Sequence, residues 1–221
     1  MSKEAKILIA IAVVVLIGGV LLAIYANPKP QEAGKPVDEK SLVRDSSHMT
    51  GKLGAKVTIV EFGDFQCPGC AAASPTIKKI IAEYKDNEQF NFVFRNFPLE
   101  SIHSNARIAA EAVEAAGVQG KYWEMNELMY EKQNEWSTST TPLDIFTGYA
   151  SSLGIDADKV KQSASQQLFK EVINADLADG NAVQVQSTPT FFVNGVLFTP
   201  NARSIPTYED FKKKIDEELA K

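Results

Sequence analysis

GDFQCPGCAAASP, residues 63–75, holds both cysteines of the chain, Cys67 and Cys70, in a C-x-x-C spacing. Such a pair admits three readings: a structural clip, half of a metal site, or a reactive dithiol. Its neighbours narrow the choice. KVTIVEF (56–62) is β-branched and apolar, which predicts a buried strand. Beyond the cysteines, Ile77, Ile80, Ile81 and Tyr84 recur at helical spacing, so a helix is expected to begin at the pair. Pro75 falls inside that run and predicts a kink or a division of the helix. FNFVFRNF (90–97) alternates aromatic residues and reads as a second strand. Strand, helix, strand implies a parallel pair with a right-handed crossover, and it places the cysteines where the crossover helix starts.

That position has chemical consequences. A cysteine at a helix N-terminus faces unpaired backbone N–H groups and the positive end of the helix dipole, and both stabilise a thiolate. Cys67 fits this place, with Pro68 following where a missing N–H costs nothing. Cys70 lies one turn later, within reach for a disulfide. A zinc site needs four ligands, and only two cysteines and two histidines exist, with no ligand spacing around His48. A disulfide closing so short a loop adds little stability. Thiol–disulfide exchange is the favoured reading, and it needs neither a metal nor an organic cofactor beyond a redox-active Cys67–Cys70 disulfide.

Elsewhere the 221 residues suffice for one domain with a full core. The net charge of −5 speaks against nucleic acid as a partner. The densest basic run, residues 212–214, lies in a helical pattern and reads as a solvated face. The stretch between about residues 100 and 182 looks helical. Ala109, Ala112, Val113 and Ala116 form one stripe ending near Gly117, and Tyr122, Met125, Leu128 and Met129 form another. Thr141-Pro142 reads as a helix start, and Asp156 as the cap of a stretch running toward Leu177. TFFV (190–193), Asn-Gly and VLF (196–198) form a hairpin signal. Tyr208, Phe211, Ile215 and Leu219 mark a closing amphipathic helix.

The N-terminus has a different character. Residues 7–25 are uncharged and apolar, long enough as a helix to span about 28 Å, close to a bilayer core. They are expected to form a transmembrane anchor, with residues 1–6 cytoplasmic; a cleaved signal sequence is the alternative. Residues 26–49, rich in Pro, Lys and Glu, read as a flexible stalk, with ordered structure expected to start between about residues 41 and 55.

VEFGDFQCPGC, QGKYWEMNELMYEKQ and STPTFFVNG, in that order, resemble the DsbA-like branch of the thioredoxin superfamily. These are extracytoplasmic thiol–disulfide oxidoreductases with a helical domain inserted into a thioredoxin fold. The resemblance runs from about residue 50 to the C-terminus. It implies an α/β class and a thioredoxin fold over 50–221 with a helical insertion at about 100–182. It implies Cys67 as the exposed nucleophile, Cys70 as the resolving thiol and Pro189 as a cis-proline facing the pair. Pro68, Gly69 and Thr188 would then line the substrate site, where an extended peptide can add as a strand.

Relatives carry a buried acid at the position of Glu61, which would relay the Cys70 proton; the alternative is a solvated glutamate at a strand end. Asp64 is expected to be surface exposed. His103 and Trp123 are expected to pack or cap rather than react. Strongly oxidising relatives often place a histidine between the cysteines. Pro-Gly here predicts a less oxidising disulfide, still above the reducing thioredoxins.

Implied partners are cysteine-containing exported proteins and a membrane redox partner. The implied location is a bacterial-type cell membrane with the catalytic domain outside the cytoplasm, or a periplasmic or secreted form after cleavage. The leading function is an anchored thiol oxidase. The alternatives are a reductase or isomerase of exported proteins, or a thioredoxin-like binding or chaperone module.

Overall fold

The computed structural model describes residues 36–200 and 205–221. The span expected at 7–25 lies outside them. Among the described residues no helix is long and apolar enough to cross a membrane.

Five strands form one sheet in the order β1-β3-β2-β4-β5. The strands are β1 (His48–Met49), β2 (Val57–Gly63), β3 (Phe90–Asn96), β4 (Thr190–Val193) and β5 (Val196–Leu197). β2 and β3 run parallel, with Glu61 opposite Phe94. β2 and β4 run antiparallel, with Glu61 opposite Phe191. The crossover between β2 and β3 is helix α1 (Pro68–Tyr84). Pro75 lies within it without dividing it. Pro75 is exposed, so the carbonyl that loses its donor there can turn to water.

Every residue of β2 is buried, because both faces of the sheet are covered. Side chains alternate between faces. Val57 and Ile59 join the larger core with Ile77, Ile80, Phe92 and Phe94. Val60 and Phe62 join a second core with Leu42, Val43, Val93 and Phe97. Glu61 shares the parity of Val57 and Ile59, so its register directs it to the face covered by α1.

Six helices lie between β3 and β4. They are α2 (Ala106–Gly117), α3 (Tyr122–Glu131), α4 (Gln133–Trp136), α5 (Pro142–Ser152), α6 (Ala157–Ser165) and α7 (Lys170–Ala182). Asp156 caps α6 by accepting from the Lys159 N–H at 3.0 Å. The stretch it opens does not continue to Leu177. Gln167 turns to φ 52°, which ends one helix before α7 begins. The β4–β5 hairpin turns through Asn194 (φ 48°) and Gly195 (φ 80°), the left-handed pair that a two-residue loop needs. α8 (Tyr208–Leu219) closes the chain behind a capping box of Thr207 and Asp210.

The flexible stalk at 26–49 is corrected over its described part. The Val37 N–H donates to the Gly195 carbonyl at 2.8 Å. A 3-10 turn follows at Glu39–Ser41. Leu42 and Val43 are buried in the second core. β1 pairs antiparallel with β3. The segment is too polar to fold alone; a finished sheet face receives Leu42 and Val43, and Arg95 holds the Leu42 carbonyl at 2.6 Å.

Candidate active site

Cys67 is the N-cap of α1, in extended backbone at φ −71° and ψ 123°, with Pro68 at the first helical position. The Cys67 thiol donates to the Thr188 carbonyl at 3.2 Å. The Thr188–Pro189 peptide bond is cis. Pro189 lies against the pair: a Cβ added to Gly69 would stand 3.2 Å from Pro189 Cδ and 3.5 Å from Cys67 Sγ. Pro68 is exposed beside them. Both cysteines are free thiols. Cys67 keeps 8% of its surface and Cys70 none, so an incoming reactant meets Cys67 first.

The two thiols hold their protons very differently. The hydrogen bond with the Cys70 thiol is the largest influence on Cys67, and the N–H groups of Cys70 and Gly69 add to it. Together they pull Cys67 down to about 5 against the cost of burial. Burial pushes Cys70 well above the usual thiol range, and sharing its proton with Cys67 pushes it further. The arrangement is a nucleophilic thiolate over a protonated reserve thiol, the asymmetry that disulfide exchange uses.

Glu61 lies in the core at 4% exposure. Burial first, then the charge of Cys67, pushes its carboxyl up to about 8. An acid of that strength exchanges protons near neutral pH.

Asp64 departs from expectation: it is buried, at 1% exposure. Its carboxylate accepts from the Gln66 N–H at 2.7 Å and the Leu99 N–H at 2.9 Å. The His103 ring lies 2.7 Å from the same carboxylate. The Asp64 backbone N–H points to Cys70 Sγ at 3.5 Å, and its carbonyl accepts from the Cys67 N–H at 3.1 Å. Asp64 is therefore the brace of the loop that enters α1. Gln133 holds the other side, donating to the carbonyls of Phe65 (2.7 Å) and Cys67 (3.0 Å). Gln66 links the loop to the helical block through Ser137 and Asn105. Asp64 followed two residues later by a donor is an Asx-turn signal that sequence reading can find. Nothing local marks Gln133. Trp123 packs on Phe92 at 5.9 Å between ring centres. Among the described residues no cluster of His, Cys, Asp and Glu is arranged to hold a metal ion.

A family model described as thioredoxin matches residues 44–217. The Na(+)/H(+) antiporter NhaA 1 of Salinispora arenicola is 38% identical over 151 residues, which cover 68% of this chain and 22% of that protein. The chain thus spans about a fifth of the length of that curated relative. A probable disulfide bond formation protein D of Bacillus anthracis is 28% identical over 97% of this chain and 95% of its own length. Among solved structures, BdbD from Bacillus subtilis in its oxidised form superposes with a TM-score of 0.70 at 26% identity, covering 86% of this chain and 98% of that one.

Proposed function

The chain belongs to the thioredoxin family, and from that premise we propose that it is a DsbA-like thiol–disulfide oxidoreductase that forms disulfides in exported proteins. The observation that carries this is the geometry of the pair: Cys67 at the N-cap of α1, its thiol 3.2 Å from the Thr188 carbonyl beside the cis Thr188–Pro189 bond, and Cys70 behind it with no exposed surface. The likeness to a disulfide bond formation protein over nearly the full length of both chains supports the same reading. Anchoring by residues 7–25, a catalytic domain outside the cytoplasm and a membrane partner that reoxidises the pair complete the proposal. No cofactor other than the Cys67–Cys70 disulfide takes part.

In the oxidising direction a client thiolate attacks Cys67 Sγ. The intramolecular disulfide breaks, and Cys70 departs with its bonding electrons and takes a proton from Glu61. A second client thiolate attacks the client sulfur of the mixed disulfide and releases Cys67 as a thiolate, which its low proton affinity favours. The client loses two electrons and the pair gains them. Thr188 offers backbone to an extended client peptide, and Gly69 leaves room for its approach.

The test is the reduction potential of the full chain equilibrated against glutathione, with Cys67→Ser as control. A value of about −120 to −200 mV marks a disulfide readily passed to clients. A value near about −270 mV makes the dithiol the working form and the protein a reductase. Thiol oxidation that survives Cys67→Ser removes the proposal altogether.

A further inference from the structure

The short helix α4 of the inserted block reaches the backbone on both sides of Gln66, next to the reactive thiol. Gln133 opens it, at 7% exposure. Its amide nitrogen donates to the Phe65 carbonyl at 2.7 Å and to the Cys67 carbonyl at 3.0 Å, which uses both of its hydrogens. The Cys67 carbonyl also accepts from the Ala71 N–H at 3.1 Å, the first bond of α1. The Phe65 carbonyl has no other donor among the described residues. α4 is itself held. Trp136 is fully buried, donates its indole N–H to the Met129 carbonyl at 2.9 Å and packs edge-on against Phe146. The Asn105 side chain donates to the carbonyls of Trp136, Ser137 and Ser139. Gln66 adds a link in the opposite sense, from the loop to the Ser137 carbonyl at 2.7 Å.

We infer that Gln133 is a positioning residue for Cys67: by holding the Phe65 and Cys67 carbonyls it keeps the thiolate aimed at the N–H groups of Gly69 and Cys70, and through it the inserted helices set how oxidising the pair is. The inference rests on the functional reading above and deepens it. Each carbonyl belongs to a rigid peptide plane, so holding it fixes the backbone on that side of the loop. Held so, Cys67 stays in the extended conformation, φ −71° and ψ 123°, that places it as the N-cap of α1. From there its sulfur meets the unpaired N–H groups of the helix start. The two redox states need this support unequally. In the disulfide, the bond to Cys70 fixes the Cys67 sulfur covalently. In the dithiol only weak contacts fix it, chiefly the Cys70 thiol and the N–H groups of Cys70 and Gly69. Loss of the Gln133 amide therefore raises the reduced form more than the oxidised form.

Gln133→Met tests the idea, since it keeps the length of the side chain and removes both donors. Wild-type and variant full chains are equilibrated against glutathione, and Cys67 is alkylated with iodoacetamide across pH. The expected result is an equilibrium constant shifted about tenfold toward the disulfide, a potential about 30 mV more reducing. The alkylation midpoint rises by about one pH unit with it. Asn134→Ala, exposed on the same helix, keeps the wild-type constant and midpoint. If Gln133→Met does not fold, Gln133→Asn is too short to hold both carbonyls and shifts the constant the same way by about threefold. Urea unfolding of both redox forms separates positioning from support, because the reduced form of the variant loses more stability than the oxidised form. Equal losses, with constant and midpoint at wild type, overturn the inference and leave Gln133 a structural residue. A shift of the same size in Asn134→Ala also overturns it. A wild-type potential near about −270 mV overturns the oxidase reading and leaves the role of Gln133 standing. A wild-type pair that does not exchange with glutathione overturns both.

Discussion

Cys67 and Cys70 stand one helical turn apart, yet Cys67 faces several donors at the helix start while Cys70 has no exposed surface. At neutral pH the reduced pair therefore carries a thiolate at Cys67 and a thiol at Cys70. Alkylation by iodoacetamide should titrate with a midpoint near 5 for Cys67, well below the value of about 8.5 for a free thiol. A midpoint above 8 would contradict the geometry. The same depression is a statement about stability. Because the folded value lies below the unfolded one, the thiolate's contribution is complete above about 8.5 and is lost as pH falls toward 5. The oxidised form lacks the titrating group. Denaturation of both forms across that window should therefore show the reduced form losing stability relative to the oxidised form as the solution is acidified.

Among the elements, the loop from Gly63 to Cys67 depends most on distant support. β2 delivers it and α1 receives it, but its shape is set by the Asp64 carboxylate and the Gln133 amide. Asp64→Ala strands the Leu99 and Gln66 N–H groups without an acceptor, and a loss of about 2–3 kcal/mol in urea unfolding is expected. Asp64→Asn should recover part of it, since one amide oxygen still accepts. A loss under 0.5 kcal/mol in the alanine variant would assign the brace to Gln133 alone. The start of α1 was legible because Cys67-Pro68 is a local signal and the isoleucine spacing is regular. The brace was not: Gln133 lies 66 residues from the Cys67 carbonyl it holds. Asp64 was read as a surface acid because charge usually means exposure, and here three hydrogen-bond partners offset its burial.

For the molecule as a whole, the second sheet face is tied together by one buried guanidinium. Arg95 has no exposed surface. It donates to Asp176 and Asp179 of α7 and to the Leu42 carbonyl of the N-terminal segment, each at 2.6 Å. Arg44 joins the same Asp179 from that segment. One side chain thus holds the sheet, the last helix of the insertion and the stretch read as stalk. Arg95→Met leaves Asp176 buried without its counter-charge and should cost about 3–5 kcal/mol in chemical denaturation. A replacement that proves neutral would mean that apolar packing alone joins these parts.

The sequence by itself determined the β2-α1-β3 unit, the helical character of the block that follows, the cysteine pair, the β4–β5 hairpin and α8. Each is written in short-range pattern: alternation, helical spacing, Cys-Pro at a helix start and Asn-Gly at a turn. Tertiary structure alone decided the environment of every charged group near the site. Glu61 turns inward because its register on β2 matches Val57 and Ile59. Asp64 is buried because a loop from beyond β3 brings Leu99 and His103 to it. Val37, Leu42 and Val43 order the segment before β1 because a sheet face assembled from distant strands is there to receive them. Burial is a property of what packs against a residue, and those neighbours lie tens of residues away in the chain.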